Sequence, residues 1–137
     1  MSEGNKALAT SLIEEVMNNG NFDRIDELMS PDFVEHEELP PGIPQGPDAP
    51  RAMFGMMLSA FPNFHSQINM TLADGDMVVI HQTWTGTHEG DFMGIPPTGN
   101  SFSINTIDIM EIIDGQITGH WGVTDMAALM EQLGLMG

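Results

Sequence analysis

His65–His88 reads HSQINMTLADGDMVVIHQTWTGTH. In this stretch the hydrophobic spacing changes from a period of 3.6 to a period of 2, so two long strands are expected, His65–Ala73 and Met77–His88. Asp74-Gly75-Asp76 between them is a hairpin signal. Further on, Ser101–Ile113 reads as a third strand that turns at Asp114-Gly115 into a fourth, Gln116–Gly122. The intervening Glu89–Asn100 holds Gly90, Gly94, Pro96, Pro97 and Gly99, so it is a loop. A last helix is expected from about Asp125 to Leu133.

Before His65 the spacing is helical. Leu8, Leu12, Ile13, Val16 and Met17 share one face of a helix over Asn5–Gly20, stopped by Asn19-Gly20-Asn21. Asp23 is the expected N-cap of a short second helix with Ile25, Leu28 and Met29 on its apolar side, ended by Ser30-Pro31-Asp32. Phe33–His36 reads as a short strand. The loop after it, Glu37–Gln45, contains Pro40, Pro41 and Pro44, which exclude a central strand. Gly46-Pro47-Asp48 opens a third helix that runs to about Ala60 and carries Met53, Met56 and Met57. Helices followed by an antiparallel meander make an α+β fold. The expected architecture is a curved antiparallel sheet wrapped against three to four helices, forming a cone with an internal pocket. Residues 1–137 are expected to form a single domain.

Composition narrows the function classes. Lys and Arg number 3 against 20 Asp and Glu, a formal net charge of -17. Nucleic-acid affinity comes from cations that neutralise phosphates, and Lys6, Arg24 and Arg51 are too few to supply it. Anionic membrane surfaces are disfavoured for the same reason. The acidity reads as solubility or as adaptation to a saline setting. With no cysteine there is no disulfide, thiolate or zinc–thiolate chemistry. The N-terminal residues lack a basic segment leading into an apolar run, and no apolar run is long enough to span a bilayer, so a cytoplasmic location is expected.

Strand parity sorts the candidate site residues. Val78, Ile80, Trp84 and His88 share a face that is expected to be concave, with His88 at its pocket end. Phe102, Ile104, Thr106, Asp108, Met110 and Ile112 share a face of the next strand. On the last strand, Thr118 and His120 are expected to oppose Ile117 and Trp121. Asp125 has two readings. As an N-cap it would accept a backbone N–H; facing an apolar cavity it would be desolvated and suited to general acid/base work. No two histidines stand at i, i+3 or i+4, so no helical metal motif exists, and no nucleophile elbow, phosphate-cradling or dinucleotide motif is present. His36 lies among Glu35, Glu37 and Glu38, an exposed acidic loop or a site for a divalent cation.

Three stretches carry a family resemblance: Phe33-Val34-Glu35-His36 leading to Gly46, the run Thr87-His88-Glu89-Gly90-Asp91-Phe92-Met93-Gly94-Ile95-Pro96-Pro97-Thr98-Gly99, and Ile117 through Trp121 to Asp125 with Glu131-Gln132-Leu133-Gly134. Ala60-Phe61-Pro62-Asn63 and Ala73-Asp74-Gly75-Asp76 also fit. Together they resemble the SnoaL-like polyketide cyclase family, within the superfamily named for nuclear transport factor 2. The resemblance implies intramolecular aldol ring closure on a small hydrophobic carbonyl substrate, with no cofactor and no metal. It implies that Asp125 moves the α-proton, while His88 and His120 hydrogen-bond the substrate and stabilise enolate charge. His36, Trp84, Trp121, Phe92 and Met53 are the implied substrate-binding residues. A homodimer through the outer sheet face is also implied. Two other functions are compatible with the same cone: a non-catalytic small-molecule binding module, and a related isomerase or dehydratase.

Overall fold

The structure is a computed structural model that describes residues 2–135. Helix α1, Ser2–Ser11, continues without a break into a π-helical segment, Leu12–Asn18, which buries Leu12, Ile13, Val16 and Met17. Wider i→i+5 turns of this kind recur where a helix borders a functional cavity. A 3-10 turn at Phe22–Arg24 leads into a single α-helical turn, α2, Ile25–Leu28. Asp23 lies inside the 3-10 turn and makes no cap, because the chain is already turning at Asn21.

Strand β1, Met29–Glu35, begins where the second helix was expected to continue, so Ser30-Pro31-Asp32 lies within the strand. Pro31 is tolerated because β1 is an edge strand whose ladder is interrupted between Met29 and Val34. After the proline-rich loop come α3, Asp48–Ala60, then β2, His65–Asp74, and β3, Met77–Thr87. Next are β4, Ser101–Ile113, β5, Gln116–Thr124, and α4, Met126–Gln132. The sheet order is β1-β5-β4-β3-β2. The last four strands form the expected antiparallel meander. β1 joins β5 in parallel, so the five-stranded sheet is mixed and stays open at both edges.

The β4–β5 hairpin closes through Asp114-Gly115 with both residues at positive φ, 52° and 79°. Such a two-residue turn matches the right-handed twist of its strands, which is why Asp-Gly predicted it. Two bulges bend the sheet, one at Asn69 in β2 and one at Thr118 in β5. The inner face of β4, Phe102 to Ile112 at even numbers, is buried throughout, as the alternation required. With Val78, Ile80 and the π-helical residues it forms one core. No helix among the described residues is long and apolar enough to cross a membrane.

Candidate active site

A cavity of about 510 Å³ lies between the inner sheet face and the helices. That is the size of a drug-sized ligand site. Met53, Phe54, Met56 and Met57 of α3 face it from one side, and Leu12, Ile13 and Met17 of the π-helical segment from another. Phe61, Phe64, Trp84, Phe92 and Phe102 add aromatic walls. Five ionisable side chains break this apolar lining: Glu35, Glu37, Glu38, Asp108 and His120.

His120 is the hub. Its Nδ1 donates to both oxygens of Glu35, at 2.7 and 2.9 Å, and its Nε2 donates to Asp108 Oδ1 at 2.7 Å. With a carboxylate at each ring nitrogen, the ring carries both protons and a positive charge. Burial opposes that charge, but the hydrogen bonds to Asp108 and Glu35, together with their negative charges, outweigh it. The pKa is pushed up to about 10.

Asp108 is 6 % exposed. Its second oxygen accepts from the Gln82 side-chain amide. Gln82 is fully buried, and its own oxygen accepts from Ser66 Oγ at 2.7 Å and from Trp84 Nε1 at 3.0 Å. These bonds run Ser66/Trp84–Gln82–Asp108–His120–Glu35 across all five strands and fix the Asp108 carboxylate at the cavity wall.

The fourth member is Glu37, whose Oε1 stands 3.9 Å from His120 Nδ1. Desolvation raises its pKa, and the charges of Glu35 and Asp108 add to this, while His120 pulls the other way. Gln45 holds the acidic loop to β1: its side-chain oxygen accepts the Glu35 N–H at 2.9 Å and its amide donates to Glu35 O at 3.0 Å. Glu35, Glu37 and His120 place potential ligand atoms within 4.8 Å of one another. Because the His120 nitrogens point protons at carboxylates rather than lone pairs at a cation, we describe the cluster as an ion-paired network.

The structure redistributes the candidates from the sequence. His120, Trp84, Phe92 and Met53 line the cavity. Asp125 does not: it is exposed, and its Oδ1 accepts the Ala128 N–H at 3.1 Å as the N-cap of α4. Its position at the end of β5, level with the outer groove formed by His81, Ile107 and Val123, turns it away from the site. Trp121 is likewise displaced. It pairs with Ile109 on the outer face and stacks on His36, ring centroids 4.2 Å apart and planes within 3°.

His120 was expected to oppose Ile117, yet both line the cavity. The Thr118 bulge adds one residue between the pairs Ile112–Ile117 and Met110–His120, so both face inward. His88 is fully buried behind the aromatic wall rather than in it, 5.7 Å from the Phe61 ring and 6.4 Å from the Phe92 ring. Its Nδ1 accepts the Thr98 N–H at 3.2 Å and lies 3.1 Å from Thr98 Oγ1, tying down the Glu89–Asn100 loop that carries Phe92.

The model of the SnoaL-like polyketide cyclases matches residues 7–133. The chain belongs to the SnoaL-like polyketide cyclase family. Among its relatives, nogalonic acid methyl ester cyclase of Streptomyces nogalater is 30% identical over 118 residues, covering 85% of this chain and 88% of that protein. Aklanonic acid methyl ester cyclase of Streptomyces sp. strain C5 is 31% identical over 127 residues, covering 88% of this chain and 76% of that protein. The solved structure of TsrD from Streptomyces laurentii superposes with a TM-score of 0.87 at 26% identity, covering 98% of this chain and 97% of that one. The α+β cone of this cyclase family is thus the fold of this chain. Asp108 and Gln82 were the site residues hardest to single out from the sequence, although Asp108 is the one acid in the inner stripe of β4.

Proposed function

We propose that this chain closes a ring on a small polyketide ester by acid/base, aldol-type chemistry, with Asp108 as the group that takes the α-proton. The observation that carries this reading is the buried Asp108–His120 pair, set in the wall of an apolar cavity large enough for a polycyclic substrate. The relatives supply the substrate class, since two of them are named as cyclases of polyketide methyl esters.

The chemistry follows from the arrangement. An apolar cavity excludes water, which strengthens each electrostatic interaction inside it. Asp108 is held in one orientation by Gln82 and His120, so no side-chain entropy is lost when it meets the substrate. When the α C–H proton passes to Asp108, negative charge moves to the substrate enolate. The His120 imidazolium beside it stabilises that charge without having to move. His120 thereby keeps the enolate-stabilising role the resemblance implied, while proton abstraction passes from Asp125 to Asp108.

The test is turnover of a polyketide methyl ester by Asp108→Asn, with ring closure followed by product analysis. General acid/base groups contribute about 10²–10⁴-fold, so kcat is expected to fall by that order with little change in KM. Wild-type turnover in Asp108→Asn would refute the assignment. Ligand retention with no chemical change, in the unmutated protein, would instead support a binding module.

For assembly we propose a homodimer through the outer sheet face. Met70, His81, Ile107 and Val123 form one lateral row there, and Met70, Ile107 and Val123 are 53%, 42% and 73% exposed. Rows of exposed apolar side chains mark association surfaces. Sedimentation of Ile107→Glu against the parent chain tests it: two equal monomers would exclude the dimer.

A further inference from the structure

Asp108 accounts for removing a proton, but ring closure also needs one returned. Closure consumes an α C–H on one carbon and creates an alkoxide on another. A second acid on the open side of the cavity would supply that proton without the alkoxide having to turn back to Asp108.

We propose that Glu37 is that second proton-handling group, seated in the cavity by the absence of a side chain at Gly122. The proposal rests on the reading of Asp108 as the α-proton acceptor. Its geometry comes from three elements. Glu37 hangs from the loop after β1, and its backbone N–H donates to Glu35 Oε2 at 3.1 Å, which turns the residue toward the ion-paired network. Its carboxyl reaches 3.9 Å from His120 on β5. Gly122, two residues beyond His120, is the inward position opposite Asp108 and lines the cavity.

A Cβ built at Gly122 would lie 2.0 Å from Glu37 Oε1 and 3.0 Å from His120 Cε1. The carboxyl of Glu37 therefore occupies the space that any other residue at 122 would fill. Gly122 is not at positive φ, so no backbone conformation demands a glycine here. The space is taken up by the Glu37 carboxyl, with the edge of the His120 ring beside it.

The step balances. The α C–H proton goes to Asp108, and the electron pair of that bond forms the new C–C bond to the acceptor carbonyl carbon. The carbonyl π pair moves to oxygen, and Glu37, as the carboxylic acid, gives that oxygen its proton and becomes a carboxylate. The product is an isomer of the substrate. The surplus proton on Asp108 and the deficit on Glu37 are levelled through solvent at the mouth, where the Glu37 side chain is 41% exposed. The charged groups that face Glu37 are His120 on β5, Glu35 on β1 and Asp108 on β4. The two carboxylates and desolvation favour its protonated form, and the imidazolium opposes it.

Two variants test the proposal beside Asp108→Asn. Glu37→Gln keeps the shape of the side chain and removes the acid. Its kcat is expected to fall about 10²-fold at unchanged KM. The fall in rate as pH rises through the Glu37 titration should also vanish, leaving only a decline near the His120 pKa of about 10. Gly122→Ala leaves Glu37 in the sequence but evicts it from its seat, and should lower kcat in the same sense. Wild-type kcat in Glu37→Gln, or a lowered kcat whose alkaline limb is unchanged, would overturn the proposal. If Glu37→Gln is normal while Asp108→Asn is inactive, Glu37 fails and the reading of Asp108 stands. If both variants turn over normally, the acid/base reading of the cavity fails first.

Discussion

Asp108 Oδ1 accepts a hydrogen bond from His120 Nε2 at 2.7 Å, although the two residues are not cross-strand partners: Asp108 faces Gly122 in the ladder and His120 faces Met110. The contact is diagonal, across two adjacent strands, and the missing side chain at Gly122 leaves room for the imidazole to lean over. Diagonal neighbours on one sheet face are within reach of long side chains. The consequence is a charged pair held by two strands of the rigid sheet, not by a loop.

That pair makes stability depend on pH in a defined direction. The folded pKa of His120, about 10, lies above its ordinary value of 6.5. The native state therefore holds a proton that the unfolded chain releases between those values. Stability from this source is fully present below about pH 6.5 and is lost as pH rises toward 10. Melting temperature measured from pH 6 to 10 should fall steadily, and His120→Asn should remove most of that slope.

Truncating the hub should cost more than its hydrogen bonds suggest. His120→Ala leaves Asp108 and Glu35 as buried like charges with no cation between them. Removing one partner of a buried ion pair costs about 3–5 kcal/mol. Urea unfolding of His120→Ala is expected to show a loss of that order, and a second substitution, Asp108→Asn, should restore part of it. A double mutant no more stable than His120→Ala would contradict the coupling.

Gln82→Met tests the far end of the chain of bonds. Met fits the volume of Gln but leaves Ser66 Oγ, Trp84 Nε1 and one Asp108 oxygen without their partner. An unsatisfied buried polar group costs about 1–3 kcal/mol. Lower stability should accompany a fall in kcat larger than any change in KM, because Asp108 loses its orientation and the cavity keeps its walls.

Asp125→Ala should behave as a lost helix cap and nothing more. The expected cost is about 1 kcal/mol, from the Ala128 N–H left to solvent. Turnover should match the parent chain at temperatures where both are folded. A hundredfold loss of kcat would return Asp125 to the reaction.

Most of the fold was legible because it rests on local rules. Asp114-Gly115 dictated its hairpin, and the even-numbered stripe of β4 dictated its inner face. β1 was shortened in the reading because Pro31 looks like a terminator, and only its edge position in the finished sheet makes it acceptable. The parallel pairing of β1 with β5 joins residues some 85 apart, which no window of spacing can reveal. The site was half legible for a related reason. Trp84, Phe92 and Met53, which the family resemblance implies as lining residues, do line the cavity. The catalytic reading of Asp125 comes from the resemblance, whereas a carboxylate inside a strand stripe, such as Asp108, has meaning only once its neighbours Gln82 and His120 are known. Trp121 and His120 are adjacent in sequence and were assigned to opposite faces correctly, but relative to Ile117 the faces were reversed by a single extra residue.

That residue, Thr118, acts as an expansion joint. It sits between two stretches of ladder, Ile112–Ile117 on the hairpin side and Met110–His120 on the site side, each with its own inward residue. Deleting it would leave both pairings and the inward His120 in place while relaxing the bend of β5, along which β1 also breaks register. Curvature of the wall and chemistry on the wall are therefore inherited separately in this chain. The bend of the wall can change without rewriting the residues that β5 turns toward the cavity.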